Sequence, residues 1–174
     1  IFTCPGMDVV LDGQQMPLAD ASLRGIVMTD VFHHIPNVRR FLTEAARCVR
    51  RGGVVAMIEP WYSKWSNLVY QRLHHEPFCP DAAAWEFAPN GPLSSSNQAL
   101  PWIVFVRDRA MFEKEFPEWE IETVSPFMPF RYLISGGVSL RAVAPAFSYP
   151  AIRAVENVLG PSAAMFAHIV LRRR

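Results

Sequence analysis

The 174 residues fit one domain, and a chain that is 51% hydrophobic and 19% charged can bury a core, which argues against disorder. A net charge of +1 excludes bulk electrostatic attraction to nucleic acid, and no apolar run approaches the roughly 20 residues of a membrane-spanning helix. Three widely spaced cysteines, Cys4, Cys48 and Cys79, form no CxxC pair and no disulfide framework, so the expected setting is reducing and cytoplasmic.

Residues 7–11 read MDVVL, a short apolar run that stops at Asp12-Gly13, and predict a buried strand ending in a turn. Residues 25–29 (GIVMT) and 54–58 (VVAMI) predict two more strands. Continuously apolar strands of this length fit a sheet covered on both faces, as in parallel α/β folds. The clearest helix lies between the second and third runs. Asn37 is suited to its N-cap, and Val38, Phe41, Leu42, Ala45, Cys48 and Val49 share one face. Arg47, Arg50 and Arg51 suit the negative end of the helix dipole, and Gly52-Gly53 is expected to stop the helix. Strand, helix and strand then make a βαβ unit with a right-handed crossover.

Beyond Pro60 the pattern loosens. A short helix is predicted over 66–73, followed by Pro77, Pro80, Pro89, Gly91, Pro92 and Pro101. This predicts a loop-rich lid or substrate insertion at about 60–106, which Trp85, Phe87 and Trp102 keep from being disordered. Asp108 is placed to cap a helix reaching Phe116, and residues 120–124 (EIETV) alternate like a strand. Ser148 is placed to cap a helix that ends at Gly160-Pro161, and residues 165–171 (MFAHIVL) predict a last strand. Arg172, Arg173 and Arg174 read as a solvated basic end.

Residues 9–53 combine Asp12-Gly13, Met16-Pro17-Leu18, Val31-Phe32-His33-His34-Ile35 and Val49-Arg50-Arg51-Gly52-Gly53 in one order. This succession resembles the middle of class I S-adenosylmethionine-dependent methyltransferases of the methyltransferase type 11 kind. The resemblance implies a Rossmann-like α/β sheet with a loop-rich insertion after its fifth strand. Residues 9–11, 25–29 and 54–58 would be the third, fourth and fifth strands, and residues 120–124 and 165–171 the sixth and the antiparallel seventh. Arg24 stands where the family usually has Asp, and Arg51 where it usually has Pro. The family's first two strands, with the glycine-rich turn and the acidic residue that follow them, find no counterpart. The start at Ile1 is therefore read as the edge of an N-terminal truncation within one partial domain, 1–174.

The resemblance implies S-adenosylmethionine as cofactor, with Asp12, Gly13 and Gln14 at the adenine and Thr29 and Asp30 along the methionine part. Asp12 before Gly is also a common turn former, and Asp30 suits a helix cap. Methyl transfer needs mainly alignment, so little catalytic signature is expected in sequence. Glu59, His74 and His75 are the candidate general bases, with Glu76 beside them. No metal is expected, because adjacent histidines on an α-helix point roughly 100° apart and chelate poorly. Trp61, Trp65, Trp85 and Trp102 fit either an apolar acceptor pocket or the core under the insertion. The expected function is methyl transfer to a small-molecule acceptor, active in a full-length form. The alternative is a non-catalytic α/β binding module. A nicotinamide-dependent enzyme is disfavoured by the lack of a GxGxxG motif. Neither the acceptor nor the oligomeric state is written in the residues.

Overall fold

The computed structural model describes residues 6, 8–74, 76–88, 95–136 and 144–174. Their apolar runs form a four-stranded sheet from β1 (Leu23–Thr29), β2 (Val49–Pro60), β3 (Trp119–Phe127) and β4 (Phe166–Arg173), in the order β1-β2-β4-β3. β1 and β2 are parallel, whereas β4 runs antiparallel to both β2 and β3. Among the described residues no helix is long and apolar enough to cross a membrane.

The β1–β2 crossover is α1 (Val38–Cys48). Asn37 caps it, its side-chain oxygen accepting the Arg40 N–H at 2.9 Å, and Val38, Phe41, Leu42, Ala45 and Cys48 are buried. The helix stops at Cys48, earlier than the glycines suggest. Arg50 and Arg51 therefore belong to the strand entry rather than the last helical turn. The two glycines serve that entry. Gly52 has φ +77°, a region L side chains avoid, and a Cβ on Gly53 would sit 2.6 Å from the Arg24 carbonyl.

The expectation of a sheet covered on both faces holds for one face. Val55 and Met57 of β2 and Ile169 and Leu171 of β4 are fully buried. Their alternate neighbours Ala56, Ile58 and Val170 are only half-buried, and Val27 is 82% exposed. Among the described residues that second face is covered at the Pro60–Phe166 end, where the Tyr132 ring packs 4.9 Å from Phe166.

Residues 8–11 form no strand, which corrects the expected strand at 7–11. Val9 and Val10 are exposed, and the nearest ladder element is an isolated Asp12–Gln15 bridge. An apolar run becomes a strand only when its backbone finds a partner, and this one pairs with nothing described. Met7, like Cys4, lies outside the described residues. The next segment is tied down instead. The Glu44 carboxylate accepts the Met16 N–H at 2.9 Å, while Arg47 donates to the carbonyls of Met16 and Leu18 at 2.9 and 2.8 Å.

After β2, helices flank a described stretch (74, 76–88 and 95–99) that holds no helix or strand. α2 (Lys64–Leu73) starts at a reciprocal Ser63–Ser66 capping box. α3 (Leu100–Trp102) runs into a π-helical turn, Ile103–Arg107, and then α4 (Arg109–Glu115). Trp85 is buried, with the Arg39 guanidinium 4.2 Å from its ring and its indole N–H given to Asp108 at 2.8 Å. Asp108 is thereby occupied and does not cap α4 with its side chain. Ser148 likewise donates to the Pro145 carbonyl and leaves α6 (Tyr149–Leu159) without a side-chain cap. Between them lies α5 (Arg131–Ile134), whose Arg131 pairs with the buried Glu156 of α6.

Candidate functional site

In open α/β sheets ligands bind beyond the carboxyl ends of the parallel strands. Here those ends carry Thr29-Asp30 and Glu59-Pro60. β1 leads into a 3-10 turn, Phe32–His34, whose free N–H groups need acceptors. Glu59 supplies them from the end of β2. One carboxylate oxygen accepts Val31 N–H at 2.9 Å and Phe32 N–H at 2.8 Å. The other accepts His33 N–H at 3.4 Å and lies 2.7 Å from His33 Nδ1. Glu59 is fully buried and does not line the adjoining cavity.

His33 Nε2 faces Glu76 Oε2 at 3.5 Å, and His34 Nε2 faces Glu76 Oε1 at 3.8 Å. The two imidazoles lie side by side, with centroids 4.2 Å apart and planes tilted by 39°. The rings converge because residues 32–34 form a tight turn rather than an α-helix, so the spacing argument against chelation does not describe them. Gln98 Nε2 donates to Glu76 Oε2 at 2.9 Å and reaches His74 Nδ1 at 2.8 Å. His74 Nε2 lies 3.5 Å from the Tyr132 hydroxyl.

Burial opposes a charge on His33, but hydrogen bonds and charge from Glu59 and Glu76 outweigh it and push its pKa up to about 9. The hydrogen bond from His33 draws Glu76 down to about 2 against partial burial. His34 is lowered by burial and by its charged neighbour. Burial, then the charge of Glu59, pushes Asp30 up to about 6. Asp30 also holds φ +54°, uncommon for a residue with a side chain but tolerated by Asp.

These groups border a cavity of about 200 Å³, lined among others by Asp30, His33, His34, His74, Glu76 and Tyr132. Of the residues expected at a site, Asp30 and His74 meet there. Thr29 is exposed at the end of β1 and is not part of the lining. His75 lies outside the described residues.

Asp12, Gly13 and Gln14 lie elsewhere on the carboxyl side of the sheet, against the start of α1. Asp12 Oδ1 accepts the Gln14 N–H at 2.8 Å, closing the turn that its position before Gly suggests. Gln14 Oε1 accepts the Asn37 N–H at 3.0 Å, and a Cβ on Gly13 would touch Phe41 at 3.3 Å. Gln14, Asn37, Arg40 and Glu44 border an open groove of about 490 Å³ that shares no lining residue with the Asp30 cavity. Sequence reasoning missed Gln98 and Tyr132, which reach the cavity only through tertiary contacts and carry no local signal. The indoles of Trp65 and Trp85 are engaged structurally, Trp65 donating to the Pro129 carbonyl.

Residues 5–57 match the family described as the methyltransferase domain. No curated protein matches the chain. Among solved structures, one similar chain belongs to the complex between the Haloferax volcanii Trm112 methyltransferase activator and its methyltransferase. It has TM-score 0.53 and 11% identity, over 95% of this chain and 60% of that one. A second is the Streptomyces coelicolor geranyl diphosphate C-methyltransferase with Mg2+, geranyl diphosphate and S-adenosyl-L-homocysteine. Its TM-score is 0.51 at 10% identity, over 95% and 54% of the two chains. A third is an S-adenosylmethionine-dependent methyltransferase from Thermotoga maritima, with TM-score 0.50 and 15% identity over 93% and 61%. This chain thus spans 54–61% of the length of these three.

Proposed function

We propose that this chain, which has the fold of class I methyltransferases and a methyltransferase-domain sequence over residues 5–57, serves methyl transfer from S-adenosylmethionine to a small-molecule acceptor. The observation that carries the reading is the coincidence of that sequence match with the β1–α1–β2 unit, whose strand ends border a polar cavity.

The residues fit parts of the cofactor. Asp12 and Gln14 offer an acceptor and an amide to the adenine edge, with the Gly13 backbone beside them. The Asp30 carboxylate, with Thr29 next to it, suits the cationic methionine end. Ligand pockets for whole molecules of this size span about 300–1,000 Å³, so the 200 Å³ cavity takes one end or a compact acceptor. S-adenosylmethionine supplies an activated methyl on a sulfonium, and the protein's task is alignment. Glu59 is committed to three backbone N–H groups and His33, which makes it a positioning residue rather than a base. His74 borders the cavity, its Nδ1 accepting from Gln98 and its Nε2 toward Tyr132, and stays the candidate base there, with His75 its neighbour in sequence. The segment at about 60–106 acts as the cover over the acceptor. Two free cysteines, Cys48 and Cys79, fit a reducing, cytoplasmic setting.

Because the chain spans little over half of the similar structures, turnover is assigned to a longer form, and the 174 residues alone bind weakly. The alternative, a binding module without chemistry, makes a different prediction in the same experiment. Titrating S-adenosylhomocysteine by calorimetry into the chain and a longer form should give tighter binding to the latter. In the longer form, Asp12→Ala and Asp30→Ala should each weaken it by about tenfold, the loss of a hydrogen bond to a charged group. Binding equal in wild type and both variants removes these residues from the cofactor site. Binding without transfer to any offered acceptor favours the module.

A further inference from the structure

We propose that His33, His34 and Glu76 form a mononuclear site for a zinc-class divalent metal ion, independent of the methyl-transfer reading. The donor atoms already converge: one nitrogen from each imidazole and one carboxylate oxygen lie within 4.8 Å of one another. Two ligands bound at 2.0–2.1 Å to one tetrahedral zinc are about 3.4 Å apart. The His33 Nε2–Glu76 Oε2 separation of 3.5 Å is near that value, whereas His34 Nε2 approaches the other oxygen, Oε1, at 3.8 Å, so closure on one ion requires the carboxylate or the His34 ring to turn.

The surrounding contacts resemble the outer shell of a metal site. A metal-bound histidine usually gives its other ring nitrogen to a carboxylate, which sets its tautomer and aim. His33 does this through Nδ1, held 2.7 Å from the buried Glu59, so Nε2 is the atom turned toward Glu76. The Glu76 carboxylate is oriented in turn by Gln98. The other amide atom of Gln98, Oε1, is buried with no hydrogen-bond partner among the described residues. A buried acceptor left open in a cavity wall is costly and points to a donor that enters the cavity, such as a water or hydroxyl group.

Two imidazoles and one carboxylate select for zinc and its neighbours over magnesium, which prefers oxygen ligands and keeps its waters. Three protein ligands leave the fourth tetrahedral position open, as catalytic zinc sites do. That position borders the cavity shared with Asp30, His74 and Tyr132, where a hydroxyl, thiol or carboxylate of a small molecule can complete the shell.

The test strips the protein with a chelator and titrates Zn2+ by calorimetry, with bound metal counted by elemental analysis. One equivalent is expected, with a rise in melting temperature and visible d–d absorption on Co2+ substitution. His34→Ala and Glu76→Gln, each verified as folded by circular dichroism, should lower affinity at least about tenfold and abolish the thermal shift. Both leave the His33–Glu59 pair intact, so folding and binding are read separately. Excess Mg2+ should not compete. No zinc uptake, uptake undiminished in both variants, or displacement by Mg2+ at comparable concentration each overturns the proposal.

Discussion

Asp30 joins two unusual properties in one residue: a left-handed backbone and a carboxyl displaced toward neutrality by burial and by Glu59. Its folded pKa is raised to about 6, so the proton is held more tightly in the native state. Well below the unfolded value of 3.8 the group is protonated in both states and costs nothing. The cost develops as pH rises toward 6 and persists above it. Asn adopts positive φ at least as readily and carries no charge. Asp30→Asn should therefore stabilise the protein by ~1 kcal/mol at pH 7, a figure discounted because Asp30 is more than a third exposed, and leave it nearly unchanged at about pH 3, below the unfolded value of 3.8. Urea denaturation at the two pH values measures this, and equal shifts at both would show that the backbone, not the charge, is responsible.

At the scale of elements, α1 fastens the segment before β1 through its polar face. Arg47 donates to two carbonyls of residues 16–20 and to Asp20, and Glu44 accepts from Met16. Arg47→Met keeps most of the aliphatic stem and removes these donors. Hydrogen exchange at Met16 and in the neighbouring stretch up to Ala21 should then accelerate while α1 stays protected; loss of protection throughout α1 would mean that Arg47 supports the helix itself. α1 was legible because Asn37 and a strict helical period coincide. The strand at 7–11 was not, because an apolar run announces burial only if a neighbour exists to pair with it. The turn and π-helical stretch before α4 were hidden by Pro101 and the clustered prolines upstream. In the site, strand ends pointed to Asp30 and Glu59. The convergence of His33, His34, Glu76 and Gln98 depends on a 3-10 turn and on a return of the chain across many residues, neither of which leaves a periodic trace.

For the whole molecule, the sheet's asymmetry is the dominant physical fact. One face is a dense core, while the other offers half-buried apolar side chains and an outer strand, β1, whose far edge is unpaired among the described residues. Such edges template association with other strands. The chain should self-associate with rising concentration, and Val27→Lys, which puts a charge on the exposed position of β1, should shift sedimentation toward monomer. A wild-type chain that stays monomeric at high concentration would show that the edge is protected.

The order of the strands also sets a schedule for biosynthesis. β2 and β3 are separated in the finished sheet by β4, the last of the four described strands in sequence. Until β4 has emerged from the ribosome, the two earlier strands have no common neighbour and the hydrophobic layer between them stays wet. Joining of the two halves of the sheet thus waits until residues up to Arg173 have emerged and β4 can dock, while a locally closed unit such as β1–α1–β2 needs no such delay.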